Sequence, residues 1–240
     1  FNGGTEVTAE EIFTKIKRLK NYFGKDGGVT VSGGEPLMQP EFIRALFTLC
    51  KTDGITTAID TSGCVLNDSV KEVLKLTDTV LLDYKYITDE LYKTKVGCEK
   101  AKVDEFLEYL NSQNINTWIR QVIIKDLNNN EASVKALKEL KEKYSCIKKI
   151  ELLPFKKLCI EKYEKLNLQF PLAETKETTK QEIESLSEFL KWNKNVINKI
   201  GNIAYKTSFS ICLTKIMHPT ESTPARSSLL KRSIFTEYAL

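Results

Sequence analysis

A glycine pair followed by a carboxylate stands at the end of a short β-branched run, residues 29–35 (VTVSGGE). Valine and threonine favour a buried strand, because branched side chains pack well on a pleated surface. Two glycines at the strand end would let bare backbone approach a ligand closely, since no Cβ intervenes. Glu35 adds a carboxylate beside those carbonyls, an arrangement that suits a ligand with an ammonium group. The same residues also fit a plain tight turn with a solvated glutamate.

Polar side chains also stand at the ends of the other strand patterns. They are Asp60 and Thr61 after the second pattern, Asp83 and Lys85 after the third, and Arg120 within the fourth. In parallel α/β folds ligands bind at the carboxyl ends of the strands, so we expect these side chains to converge on one site. Taken singly, Asp60 fits a helix cap equally well, and Arg120 fits a salt bridge to a buried carboxylate.

The elements that position these side chains alternate between helix and strand periodicity. Strands are predicted at 29–32, 55–60, 79–84, 117–124 and 147–153. Helices are predicted from a capping box at Thr8 and then at 40–50, 68–76, 103–110, 132–144 and 179–190. Strands joined by helical crossovers predict a parallel α/β sheet or barrel. The helix and strand periodicity ends near residue 200, so we predict one domain over 1–199 and leave 200–240 as an unassigned tail.

Composition narrows the possible functions. The chain has 36 basic and 32 acidic residues, a net charge of +4, which favours neither a nucleic-acid groove nor a membrane surface. The six cysteines are widely spaced and His218 is the only histidine, so we expect no metal ligands in this chain. Free thiols point to a reducing cytoplasm. The first residues are not a signal peptide, and we read the chain as the interior of a longer protein.

Six motifs, in order and approximate spacing, resemble the radical S-adenosylmethionine family, and within it the activating enzymes of glycyl-radical enzymes. They lie at 3–8 (GGTEVT), 32–35 (SGGE), 60–63 (DTSG), 82–85 (LDYK), 118–122 (WIRQV) and 151–154 (ELLP). The resemblance implies a partial (β/α)6 TIM-like barrel of parallel strands that uses S-adenosylmethionine and a [4Fe-4S] cluster. In the family a Cys-x3-Cys-x2-Cys loop holds that cluster.

The reaction implied by the resemblance is activation of a partner enzyme. One electron, from a flavodoxin or ferredoxin-type donor, cleaves S-adenosylmethionine to a 5′-deoxyadenosyl radical. The radical takes a hydrogen atom from a glycine of pyruvate formate-lyase or of another glycyl-radical enzyme. The cofactors carry this chemistry, and the protein supplies orientation and exclusion of water. No catalytic side chain of this chain is therefore predicted.

The resemblance also implies a place for the methionine part of S-adenosylmethionine. Gly33, Gly34 and Glu35 would cradle its amino group. Asp83 and Lys85 match an acidic and a basic position that contact the ligand, and such a pair suits a zwitterion.

Further positions follow from the same resemblance. Asp60 and Thr61 match a loop that helps to bind a monovalent cation near the ligand, and Arg120 and Val122 match strand positions that line the nucleoside pocket. Lys156 stands where the family usually has a ligand-contacting histidine, and a lysine there can still donate a hydrogen bond.

The chain departs from the family pattern at its start and at its end. The cluster loop and the first strand are missing, so five of the six expected strands remain, and residues 29–32 are predicted to form an open edge. The tail matches no family segment, and the isolated chain is not expected to assemble the cluster. A family member that binds without catalysis, and an activator of another glycyl-radical enzyme, remain alternatives.

Overall fold

The computed structural model describes residues 6–24, 27–190 and the strand Phe209–Cys212. The six strands are β1 Gly28–Ser32, β2 Thr56–Thr61, β3 Thr79–Asp83, β4 Asn116–Ile123, β5 Ile147–Pro154 and β6 Phe209–Cys212. The helices are α1 Ala9–Leu19, α2 Pro40–Thr52, α3 Asp68–Leu74, α4 Asp89–Leu91, α5 Lys100–Ser112, α6 Glu131–Lys143, α7 Ile160–Lys165 and α8 Lys180–Leu190. The predicted domain boundary near residue 200 lies outside the described residues.

Local sequence explains where the helices begin. Thr8 and Glu11 form the predicted capping box at α1, and Pro40 occupies the first turn of α2, where its missing N–H costs nothing. The side chains of Asn67 and Asn130 accept hydrogen bonds from the first turns of α3 and α6. These caps fix the points at which the chain leaves each strand loop.

All strand pairs in the sheet are parallel, in the order β5-β4-β3-β2-β1-β6. The parallel α/β class predicted from the sequence is confirmed. The predicted open edge at β1 is wrong, because β6 pairs with it from Val29 opposite Phe209 to Ser32 opposite Cys212. Part of the tail therefore supplies a sixth strand, which its Ser/Thr-rich pattern had not indicated.

The core lies between the sheet and the helices. Val31, Ile59, Leu82 and Ile119 come from neighbouring strands and are fully buried, as expected for a parallel sheet covered by crossover helices. Among the described residues no helix is long and apolar enough to cross a membrane. All crossovers run between strands of one parallel sheet, so the loops after β1 to β5 open at the same edge.

Candidate functional site

A buried ionic network joins three neighbouring strands. Arg120 of β4 donates from Nη2 to Asp83 Oδ1 of β3 at 2.9 Å and from Nε to the same atom at 3.2 Å. The same Nη2 also donates to Asp60 Oδ1 of β2. Lys85 Nζ donates to the other oxygen of Asp83 at 3.2 Å. All four residues are buried, so two cations balance two carboxylates in a site of low dielectric.

Burial and the neighbouring charges of this network shift the pKa of Asp60. The pKa of Asp60 is raised to about 7: burial is the largest cause, the neighbouring Asp83 carboxylate adds to it, and Arg120 opposes both effects. The predicted alternative of a helix cap does not hold for Asp60, because its carboxylate faces Arg120. The predicted salt bridge of Arg120 is present, and Arg120 lines a cleft as well.

The turn after β1 has the geometry that its glycines suggest. Gly33 and Gly34 have φ angles of +87° and +48°, a left-handed conformation that favours glycine. Glu35 follows, but its carboxylate points to neighbouring protein groups. It accepts hydrogen bonds from Leu37 N at 3.2 Å, Thr61 Oγ1 at 2.7 Å, Ser62 N at 2.9 Å and Ser62 Oγ at 2.5 Å.

These four bonds change the role of the glutamate. They use both oxygens of Glu35 and tie the loop after β1 to the loop after β2. The Glu35 carboxylate is therefore already occupied. A ligand ammonium would bind the backbone carbonyls of the glycine turn more readily than it would bind this carboxylate. Thr61, predicted near a cation, uses its hydroxyl for this tie.

A cleft of about 580 Å³, part of it open to solvent, lies beside the ionic network. It is lined by Asp83, Lys85, Tyr86, Arg120, Val122, Ile124, Phe155, Lys156, Cys159, Tyr163, Phe170 and Leu172. Its far wall is aromatic: Phe155 and Phe170 stack at 6.4 Å, and Tyr163 tilts against Phe170 at 5.1 Å. A charged end and an apolar wall suit a ligand with a zwitterionic head and a flat ring system.

The structure divides the ten predicted site residues into two groups. Five line the cleft: Asp83, Lys85, Arg120, Val122 and Lys156. The others do not line it: Gly33, Gly34 and Glu35 lie in the loop after β1, and Asp60 and Thr61 are the last two residues of β2. The contact between Arg120 and Asp60 connects the groups.

Lys156 has a partner that the sequence did not reveal. Its Nζ donates to Glu177 Oε2 at 2.9 Å, and the lysine side chain is 44% exposed. Glu177 also accepts from the Lys157 backbone N–H at 2.9 Å. The next residue, Thr178, bonds to the Phe155 and Ile123 carbonyls. This returning segment fixes the rim of the cleft, and a ligand contact by Lys156 stays a prediction.

Two residues that position the backbone of Lys85 were not predicted from the sequence. The Tyr92 hydroxyl accepts a hydrogen bond from the Lys85 backbone N–H at 3.0 Å. Asn128 Nδ2 donates to the carbonyls of Lys85 at 3.2 Å and Val122 at 2.9 Å. Both are buried, and together they hold the backbone of Lys85 from both sides. A single asparagine after a strand carries no signal that would have identified this function.

The site fits one of the two cofactors implied by the family. For S-adenosylmethionine, the cleft presents carboxylate, ammonium and guanidinium groups and a buried tyrosine hydroxyl without a partner among the described residues. For an iron–sulfur cluster, the part of the chain that the structure describes holds no group of three or more Cys, His, Asp or Glu residues able to bind metal. Cys98 raises the pKa of the Cys64 thiol, so the two thiols influence each other, but two thiols do not make a cluster site.

A parallel sheet with ionic groups at its strand ends and a mixed polar and aromatic cleft defines an α/β small-molecule-binding domain. Comparison with known proteins gives its family. The model of the Radical SAM superfamily matches residues 1–143. The pyruvate formate-lyase-activating enzyme of Clostridium pasteurianum is 42% identical over 190 residues, covering 79% of each chain. The chain belongs to the Radical SAM superfamily, among the pyruvate formate-lyase-activating enzymes.

Other relatives match over shorter stretches. The pyruvate formate-lyase 1-activating enzyme of Escherichia coli K12 is 37% identical over 139 residues, 57% of this chain and 56% of the relative. The chain thus spans little more than half of that relative. A crystal structure of a domain of the Bacteroides vulgatus enzyme superposes with a TM-score of 0.56 at 22% identity. It covers 68% of this chain and 92% of that domain, which supports the fold.

Proposed function

We propose that this chain is the S-adenosylmethionine-binding part of an enzyme that activates a glycyl-radical enzyme, with pyruvate formate-lyase as the protein substrate. The observation that carries the proposal is the cleft in which Asp83 and Lys85, at the end of β3 and just after it, meet Arg120 of β4. The identity of 42% to the Clostridium enzyme supports the same assignment. When bound, S-adenosylmethionine supplies, by reductive cleavage, the group that removes hydrogen from a glycine.

The residues of the chain bind and orient that ligand. Lys85 Nζ makes a hydrogen bond to Asp83, which leaves donors on its ammonium group for the methionine carboxylate. Arg120 is held between two carboxylates, so it contributes a positive charge and part of the surface of the cleft. Asp83 balances the ligand ammonium, and the carbonyls of Gly33 and Gly34 accept from it.

The rest of the ligand has a separate set of contacts. Val122 and the aromatic wall of the cleft cover the nucleoside and exclude water. Lys156 stands at the rim, and Asp60 with Thr61 supports the site from the carboxyl end of β2. The electron comes from a flavodoxin or ferredoxin-type donor, and the cluster that passes it on is not held by the described residues.

The experiment is a titration of the chain with S-adenosylmethionine by equilibrium dialysis. Lys85→Met should weaken binding at least tenfold, because it removes a buried charge-assisted hydrogen bond. Lys148→Met is the matched control, since Lys148 is exposed at the start of β5 and its hydrogen-bond partner within the described residues is a nearby carbonyl, that of Ser145. Equal affinity of Lys85→Met and the wild-type chain would refute the assignment of the cleft.

The protein partner needs a test of its own. Pyruvate formate-lyase immobilised on a sensor surface should retain this chain, and a peptide carrying its radical-forming glycine should compete. A scrambled peptide of the same composition is the control. Retention that the glycine peptide does not reduce would argue for a different glycyl-radical enzyme as substrate.

A further inference from the structure

One residue that lines the cleft has a buried polar atom without a hydrogen-bond partner among the described residues. Tyr86 is 1% exposed, and its hydroxyl has no hydrogen-bond partner among the described residues. Tyr86 is also one of the residues that line the cleft. A hydroxyl removed from water without a partner is unfavourable, so native structures retain such a group mainly where a water or ligand completes it.

The surroundings keep this hydroxyl from finding a partner by moving. Tyr86 follows Lys85, whose backbone is held by Tyr92 on one side and Asn128 on the other. The Tyr86 ring packs edge-on against the Tyr92 ring at 6.3 Å. Backbone and ring are therefore both fixed, and the position of the hydroxyl is set before any ligand arrives.

The protonation state of the group is also defined. Burial raises the pKa of Tyr86 to about 12, so the hydroxyl stays protonated at neutral pH and can donate. Several other residues that line the cleft, such as Val122, Ile124 and Phe155, are apolar. A single fixed donor in an apolar wall gives orientation to a ring system that otherwise makes only van der Waals contacts.

We propose that the Tyr86 hydroxyl donates a hydrogen bond to the nucleoside part of S-adenosylmethionine. The proposal rests on the proposed function, because it needs that ligand in the cleft. The charged end of the cleft already has groups for the methionine zwitterion, namely Asp83, Lys85 and Arg120. The ring and sugar oxygens and nitrogens are then the ligand atoms that still need a donor. Tyr86 is thus a ligand-contacting residue that sets orientation.

The test compares two tyrosine-to-phenylalanine variants of the full chain. Tyr86→Phe removes only the hydroxyl without a partner. Tyr84→Phe is the matched control, because its hydroxyl donates to Asp104 Oδ1 at 2.8 Å and does not line the cleft. Affinity for S-adenosylmethionine is measured by equilibrium dialysis, and stability by urea unfolding.

The two variants should behave in opposite ways. Tyr86→Phe should bind S-adenosylmethionine about tenfold more weakly, which corresponds to about 1.4 kcal/mol, with an unfolding midpoint at or above that of wild type. Tyr84→Phe should unfold at lower urea with unchanged affinity. A Tyr86→Phe variant that binds as tightly as wild type overturns the inference while the proposed function stands. A wild-type chain that binds no S-adenosylmethionine overturns both.

A second arm locates the contact within the ligand. Adenosine and methionine are used separately as competitors of labelled S-adenosylmethionine. In Tyr86→Phe the inhibition constant of adenosine should rise by the same factor as the dissociation constant, and that of methionine should stay at its wild-type value. A loss confined to methionine would overturn the assignment to the nucleoside.

Discussion

Replacing Glu35 with glutamine tests how the turn after β1 is held. The two carboxylate oxygens accept from two backbone N–H groups, those of Leu37 and Ser62, and from the hydroxyls of Thr61 and Ser62. A glutamine amide can accept at only one end. In either orientation its NH2 group meets a backbone N–H that cannot turn away, whereas a hydroxyl can rotate and accept.

The cost of this change follows from that geometry. Glu35→Gln leaves one N–H without an acceptor, which lowers the free energy of unfolding by about 1–3 kcal/mol. Glu35→Ala leaves both N–H groups without an acceptor and should cost about 2–5 kcal/mol. In both variants the turn loosens, so S-adenosylmethionine affinity falls indirectly.

The assay is urea unfolding followed by circular dichroism, with ligand titration on the same samples. Glu41→Gln is the control, because Glu41 is exposed on α2 and its partner there is Arg44, so its change should stay within about 0.5 kcal/mol. A Glu35→Gln variant with the wild-type unfolding midpoint but weakened ligand binding would refute the reasoning. It would mean that Glu35 contacts the ligand directly.

Three further perturbations have defined outcomes. Because the pKa of Asp60 is raised to about 7, its contribution to stability is fully present below about pH 4 and is lost as pH rises towards 7. The free energy of unfolding should therefore fall by up to ~1.4 kcal/mol per pH unit in this window. Asp60→Asn should flatten this slope, as measured by urea unfolding at pH 5 and pH 7. Gly34→Val places a β-branched residue at a φ of +48°, which should lower the free energy of unfolding by about 1–3 kcal/mol in thermal or urea unfolding. The same change should abolish S-adenosylmethionine binding. Unchanged affinity would mean that the turn is purely structural. Lys156→Ala should lower the free energy of unfolding by no more than about 1 kcal/mol, since its ion pair is half exposed. Glu177→Ala should lower it more, because Glu177 also accepts a hydrogen bond from a backbone N–H. The reverse order in urea unfolding would contradict the geometry.

The fold was predictable where periodicity and local chemistry agree. The strands at Gly28–Ser32 and Thr79–Asp83 and the helix at Pro40–Thr52 match their patterns within a few residues, because β-branched runs and caps act locally. The strand Phe209–Cys212 was not predicted. It lies far from β1 in sequence, and only the free edge of β1 makes a strand of so short a segment.

The sequence predicts which strand residues lie near one another, but it does not predict the contacts that they make. The order of strands brings Asp83 and Arg120 together, and this follows from the parallel sheet. Two features depend on where loops return in space: the Tyr86 hydroxyl, which has no partner in the described part of the chain, and the ion pair of Lys156 with Glu177. No spacing rule reports such contacts, since the partners belong to different elements.

Strand register ties the stability of the sheet to the charges of the cleft. Asp83 lies directly opposite Arg120, and Asp60 lies opposite Leu81, two residues before Asp83 and so on the same face of β3. A slip of β4 by one residue would place Gln121 at this point and turn the guanidinium towards the helices. Two buried carboxylates would then have lost their shared cation, a cost of several kcal/mol. The network that fixes the register therefore also fixes which charges face the ligand, and a ligand that displaced Arg120 would have to break the sheet's own ion pairs.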